Sequence, residues 1–240
     1  MSAFPRSLLA ALAVAAIGAG DAASETTAAD GAVRGRVEIG RATPSVERFT
    51  ISKDVDVCPG GTRDVPRVRA NGRALLDAVV YLEGVKGGRR FPAASKKVTI
   101  NQRKCRFEPF LSVMANGGQL EAVNSDPVLH NIHVYRLLGS VRSTVMNISQ
   151  PEKGNIAAKR IDLAEGNVLK IECDAHDFMH AYVFVARNPY YAVVDRKGEF
   201  AITGVPPGKY RIKVWHAELG TLSREVEIAA GRTAIIDFAY

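Results

Sequence analysis

The stretch Val33-Arg-Gly-Arg-Val-Glu-Ile39 puts Val33, Val37 and Ile39 on one face of an extended chain and Arg34, Arg36 and Glu38 on the other. That two-residue period is the signature of a half-buried β-strand. Ala78-Val-Val-Tyr-Leu-Glu-Gly84 reads the same way. Further strand-like runs fall at 98–101, 110–114, 119–124, 130–136, 168–173 and 181–186, and again at 192–195, 199–202, 210–215, 223–228 and 233–238. Gly, Pro, Asn or other polar turn residues separate them. Short strands at such regular spacing predict an all-β chain built of sandwiches, not a parallel sheet with covering helices. No long amphipathic helical pattern competes, although residues 64–77 have room for a short helix.

With 240 residues the chain can form one large or two modest domains with real cores. Residues 1–22 are expected to be a secretory signal peptide. They have a positive start through Arg6, an apolar run Leu8–Ile17 too short to cross a bilayer comfortably, and small residues around Gly20-Asp21-Ala22. An uncleaved anchor is the lesser alternative. Residues 23–31 read as a small, polar linker. No later apolar run reaches transmembrane length, so the mature chain is expected to be periplasmic or otherwise exported, without a transmembrane segment. The formal net charge is +7, and Lys86, Arg89, Arg90, Lys96, Lys97, Arg103, Lys104 and Arg106 fall together with no acid among them. Such a run either steers an acidic partner or a negatively charged surface, or forms a solvated face. No aromatic-basic motif points to nucleic acid.

Two segments carry soft donor atoms: Pro127-Val-Leu-His130-Asn-Ile-His133 and Cys173-Asp-Ala-His176-Asp-Phe-Met179. By alternation His130, Ile132 and Val134 share a face, and the two apolar residues make it the core face. His133 points the other way and reads as a surface histidine. Leu169, Ile171 and Cys173 likewise face the core, while Lys170 and Glu172 face out. The two-residue gaps in Cys-x-x-His-x-x-Met let one tight turn converge three donors. A thiolate, two imidazoles and a weak thioether suit a copper ion that changes oxidation state, and suit zinc less well. The predicted metal ligands are therefore His130, Cys173, His176 and Met179, for one copper ion. His180 reads as an exposed strand residue. His216 shares a face with Ile212 and Val214 and reads as semi-buried and structural. If Cys173 holds metal, the other two of the three cysteines, Cys58 and Cys105, are left to pair. Closing that loop would contribute about 4 kcal/mol. Three unrelated buried thiols are the alternative.

Residues 97–187 resemble a cupredoxin, the blue-copper sandwich. Phe107-Glu-Pro-Phe-Leu-Ser-Val resembles the family's early strand, Gly117-Gly-Gln-Leu-Glu-Ala-Val-Asn-Ser-Asp the strand leading to its first histidine, and Leu163-Ala-Glu-Gly-Asn-Val-Leu-Lys-Ile-Glu-Cys the strand delivering its cysteine. The Cys-x-x-His-x-x-Met spacing and the His-Asn-Ile-His element are similar to the amicyanin type. That resemblance implies His130, Cys173 and His176 as equatorial ligands and Met179 as the axial one. It also implies that Asn131 hydrogen-bonds across to the cysteine loop and keeps the two segments in register. The loop departs from the type in carrying Asp174 and Asp177 rather than prolines. Two carboxylates there would favour the higher oxidation state. The segment Tyr191-Ala-Val-Val-Asp-Arg-Lys-Gly-Glu-Phe through Val205-Pro-Pro-Gly-Lys-Tyr resembles a carboxypeptidase regulatory-like, transthyretin-like sandwich. Gly31–Val37 and Asp77–Gly84 resemble that family's first strands. The expected plan is a regulatory-like sandwich from 32–96 and 188–240 with the cupredoxin inserted in it; a tandem order is the alternative.

By that resemblance the chain is expected to be an exported electron carrier with one type 1 copper. Its partner would be a redox protein such as a c-type cytochrome or a periplasmic dehydrogenase, reached through an exposed His176 edge rimmed by Phe178, Leu129 and Pro127. Copper binding or delivery without redox traffic is one alternative, and a non-redox binding module with a vestigial metal site another. Enzymatic catalysis is not expected: a single type 1 site offers no open coordination position, and no hydrolase or zinc-protease motif occurs.

Overall fold

The computed structural model describes residues 29–240, so the expected signal peptide lies outside the described residues. So does most of the linker, whose expected last residue, Gly31, already pairs with Val205. Among the described residues the chain is all-β, apart from a 3-10 turn at Ala93–Lys96.

Four main sheets stack as four layers. The first pairs Gly31–Glu38 with Glu199–Val205 on one side and with Thr233–Ile235 and Phe238–Ala239 in parallel, so strands from both ends of the described chain close one sheet. The second runs in the order Tyr191–Val193, Ala78–Glu83, Gly208–His216, Gly220–Ile228. Val33, Val37, Phe200 and Ile202 of the first meet Val80, Leu82, Ile212 and Val214 of the second in one apolar core. The third is five-stranded, in the order Val141–Gln150, His130–Leu138, Val168–Cys173, His176–Ala186, Leu111–Ala115. The fourth runs Ile156–Arg160, Gln119–Asn124, Lys97–Gln102, Phe107–Glu108. Ile132, Val134 and Ile171 of the third meet Ile100, Leu120 and Ala122 of the fourth in another core.

The second and third sheets are covered on both faces. Val79 and Trp215 of one pack on Val168, Tyr182, Phe184 and Ala186 of the other, with Trp215 5.8 Å from Phe184 and 6.0 Å from Tyr182 between ring centres. That explains why Ala181-Tyr-Val-Phe-Val-Ala186 is apolar without alternation: each side of the strand meets a layer.

One part of 32–96 packs where sequence reasoning did not put it. Ser45–Ile51 and Gly61–Val68 form a separate hairpin, and Ile51 and Cys58 belong to the core that holds Cys173, with Phe49 and Val65 packed against it. The short helix that residues 64–77 had room for is absent: these residues complete this hairpin and the two-residue strands Ala70–Asn71 and Ala74–Leu75. The strands Val141–Gln150 and Ile156–Arg160 also went unread. Both lie at sheet edges, where exposed positions interrupt the apolar period.

Candidate metal centre

His130 opens its strand at zero exposure, in line with Ile132 and Val134, so the local period aims its ring inward. Cys173 closes the neighbouring strand, 1% exposed. A two-residue turn, Asp174-Ala175, follows, and His176 pairs directly back to Cys173. The ladder then jumps from Cys173–His176 to Glu172–His180, so Asp177, Phe178 and Met179 arch out of register. The arch frees Met179 from strict alternation and lets it bury in the same core as Cys173.

The donor atoms of His130, Cys173 and His176 lie within 4.8 Å of one another. His130 Nδ1 is 3.1 Å from His176 Nδ1, and Cys173 Sγ is 3.8 Å and 3.7 Å from them. A triangle with those edges has a circumradius of about 2.1 Å, which is the length of a metal–imidazole bond and close to that of a metal–thiolate bond.

The outer nitrogens explain why the inner ones are free. His130 Nε2 is 3.0 Å from Asp126 Oδ2, and His176 Nε2 is 2.9 Å from Asp54 Oδ2. A carboxylate acceptor fixes each ring proton on Nε2 and leaves Nδ1 with a bare lone pair. Burial first and the neighbouring His130 second hold the His176 pKa below its ordinary value, against the upward pull of Asp54. Two lone pairs face each other across 3.1 Å beside a sulfur, and a cation relieves that repulsion. The donor set thus fits a metal ion, and two imidazoles and a thiol, with the Met179 thioether buried in the same core, fit copper.

Burial pushes the Cys173 thiol pKa up, while N–H groups of Asn131, Ala175 and His176 pull it down. Asp126 is buried, yet N–H groups of Cys105 and Lys104 and the His130 ring outweigh desolvation and keep its carboxyl below the usual range. Asn131 ties the His130 and Cys173 segments together. Its N–H points to Cys173 Sγ at 3.5 Å, its Oδ1 accepts from Asp174 N at 2.6 Å, and its Nδ2 donates to Asp174 Oδ2 at 2.9 Å.

Cys58 and Cys105 form a disulfide. It sits beside the site: Cys58 Sγ is 3.6 Å from His176 Nε2, and Cys105 N donates to the carboxylate that holds His130. The segment 52–60 between the hairpin strands therefore works as a strap over His176, stapled at Cys58.

The strap overturns one expectation. His176 is only 2% exposed and offers no edge to solvent, because Asp54 and Cys58 cover it. Phe178 is also buried, beneath Arg63, whose guanidinium lies 4.6 Å from the ring centre, whereas Leu129 and Pro127 remain exposed. His180 is buried rather than exposed, since its strand is covered on both faces. Burial brings its pKa to about 4 and its Nε2 has no partner among the described residues. His133 lies near the surface, held by Asp174, Thr144 and Tyr135. His216 is buried at the end of the Gly208–His216 strand and accepts from Glu218 N and Leu219 N. Asp54 and Asp126 went unread in the sequence. Asp126 had a signal, an acid in the Asn-Ser-Asp-Pro turn just before His130; Asp54, 122 positions from His176, had none.

A family model, polysaccharide lyase family 4, domain II, matches residues 177–236. No curated protein matches the chain. Among solved structures, a purple cupredoxin from Nitrosopumilus maritimus is 18% identical, over 37% of this chain and 99% of its own, with a TM-score of 0.32. Amicyanin from Paracoccus versutus is 20% identical, over 45% of this chain and 97% of its own, with a TM-score of 0.32. A copper-containing nitrite reductase from Thermus scotoductus is 17% identical over 38% of this chain, with a TM-score of 0.31, and the match spans 22% of that enzyme's length. The cupredoxin likeness thus covers under half of the chain. The family matched over the C-terminal part differs from the regulatory-like one that residues 191–210 resemble.

Proposed function

We propose that this protein is an exported type 1 copper protein that carries single electrons between redox proteins and is not itself an enzyme. The observation that carries the reading is the buried triangle of two Nδ1 atoms and one Sγ, with both Nε2 atoms already committed to carboxylates. His130, His176 and Cys173 would hold the ion, with Met179 as the weak axial donor, and bound copper supplies one-electron redox chemistry. Asp126 and Asp54 orient the imidazoles, Asn131 holds the two ligand segments at fixed separation, and the disulfide pins the strap that excludes water from His176. A carrier needs a donor set that stays put through an electron's arrival and departure, and these contacts supply that rigidity. A c-type cytochrome or a periplasmic dehydrogenase is the partner class; basic residues in 86–106 would meet its acidic surface, although Lys97 and Arg103 already pair with Glu121 and Glu108.

The test is the visible absorption and EPR spectrum with stoichiometric copper, beside Cys173→Ser. An intense thiolate-to-copper band with narrow hyperfine splitting, lost in the variant, supports the reading. Weak copper signals unchanged by the variant refute it. A second reading, copper binding without electron traffic, draws on the closure of the His176 edge by Asp54 and Cys58. Slow reaction of a spectroscopically blue site with small inorganic oxidants in stopped flow would favour that second reading.

A further inference from the structure

Beside the Asp177–Met179 arch and His180 lies a cavity of about 280 Å³ between the hairpin strand Gly61–Val68 and residues 106–110. Phe107, Phe110 and Phe178 supply its apolar walls. The charges around it are unbalanced. Asp64 at the rim is held by Arg48 through two bonds, and Glu108 by Arg103. Arg69 is occupied by Asp77. Two guanidiniums are left. Arg63 donates to the Cys105 carbonyl at 2.7 Å and makes no ion pair among the described residues, and neither does Arg106. Burial first and the Arg106 charge second hold the Arg63 pKa below its ordinary value, so the two cations sense each other without an acid between them. His180, also lining the cavity, leaves its buried Nε2 without a partner among the described residues.

Two guanidiniums without an acid partner, Arg63 half-buried over Phe178 and Arg106 exposed, beside an aromatic-walled space favour a ligand with one negative charge and a flat apolar body. Guanidinium forks match carboxylates in geometry, and cation and ring faces attract. The volume lies near the lower end for small-molecule sites, which limits the body to about one ring. We propose that this cavity binds a small aromatic carboxylate, its ring among Phe107, Phe110 and Phe178 and its carboxylate between Arg63 and Arg106. The proposed carboxylate and ring contacts are made by groups other than the metal ligands, although Met179 itself also lines the cavity. Its position beside Met179 places any bound acid against the arch that carries the thioether.

The test is calorimetric titration of the full chain with benzoate, with acetate and benzyl alcohol as probes of the charge and the ring alone. Methyl NMR of Met179 runs in parallel. Benzoate is expected to saturate and to shift the Met179 methyl signal, with each half-ligand binding at least about tenfold more weakly. Arg106→Gln, an exposed position that leaves the fold intact, should weaken benzoate about tenfold, and Phe110→Leu should weaken it while sparing acetate. No saturation by benzoate, equal binding of acetate, or unchanged affinity in Arg106→Gln would overturn the proposal. None of these outcomes depends on the copper spectrum, so the two readings fail separately.

Discussion

Replacing Asp126 by asparagine removes one charge without changing side-chain shape, and its cost can be worked from three contacts. Asp126 is 4% exposed and accepts from Lys104 N at 2.7 Å, Cys105 N at 2.8 Å and His130 Nε2 at 3.0 Å. Asparagine has one carbonyl oxygen in place of two acceptors, and its amide group is itself a donor. However the amide turns, at least one of the three donors then faces an NH2. Leaving a buried donor unpaired costs about 1–3 kcal/mol, and the bonds that survive lose their charge assistance. The expected loss for the metal-free protein is about 3 kcal/mol, read as a lower urea midpoint at unchanged m-value. Losing the carboxylate behind His130 should separately lower copper affinity by about 10–100-fold in competition with a chelator. An Asp126→Asn protein within about 0.5 kcal/mol of the parent, with unchanged copper affinity, would refute the claim that this carboxylate fixes the histidine.

Removing the staple by Cys58→Ser with Cys105→Ser should cost about 4 kcal/mol from the 47-residue separation it closes, measurable by urea unfolding of oxidised parent and variant. Trp215→Ala at the contact between the second and third sheets should cost about 3–5 kcal/mol, and a loss below about 1 kcal/mol would mean that the two sandwiches do not support each other. His216 is buried, and desolvation first brings its pKa to about 4, below the unfolded value. The unfolded chain therefore takes up its proton first as the solution is acidified. The stability that neutral His216 contributes is complete above pH of about 6.5 and is lost as pH falls toward 4, about 3 kcal/mol in all. His216→Gln should flatten that part of the stability–pH curve, and an unchanged slope would contradict it. Asp54→Ala should leave the His176 ring without its acceptor, lower copper affinity by about tenfold and speed reaction with small oxidants, which chelator competition and stopped flow would show.

The backbone period determined a good deal on its own. Alternation in residues 33–39 and 130–134 makes strands, and it puts His130 and Cys173 on core faces because successive side chains of an extended chain must point to opposite sides. It also reads His133 as outward-facing and His216 as structural, since both depend on the chain within a few residues of themselves. The same logic failed at His180 and His176. A strand with cover on both sides has no outward face, and Phe110, whose ring lies 5.4 Å from that of His180, comes from a distant part of the chain. The Asp54 carboxylate and the Cys58 sulfur that close His176 arrive from more than a hundred positions away. No periodic signal records which distant segment will lie on a given surface. The donor types, their order and their inward aim were therefore legible in the residues. Their convergence within a few ångströms, the carboxylates that bare the two Nδ1 atoms and the strap that shuts out water were decided only when four layers packed, because burial is a property of neighbours and not of the strand itself.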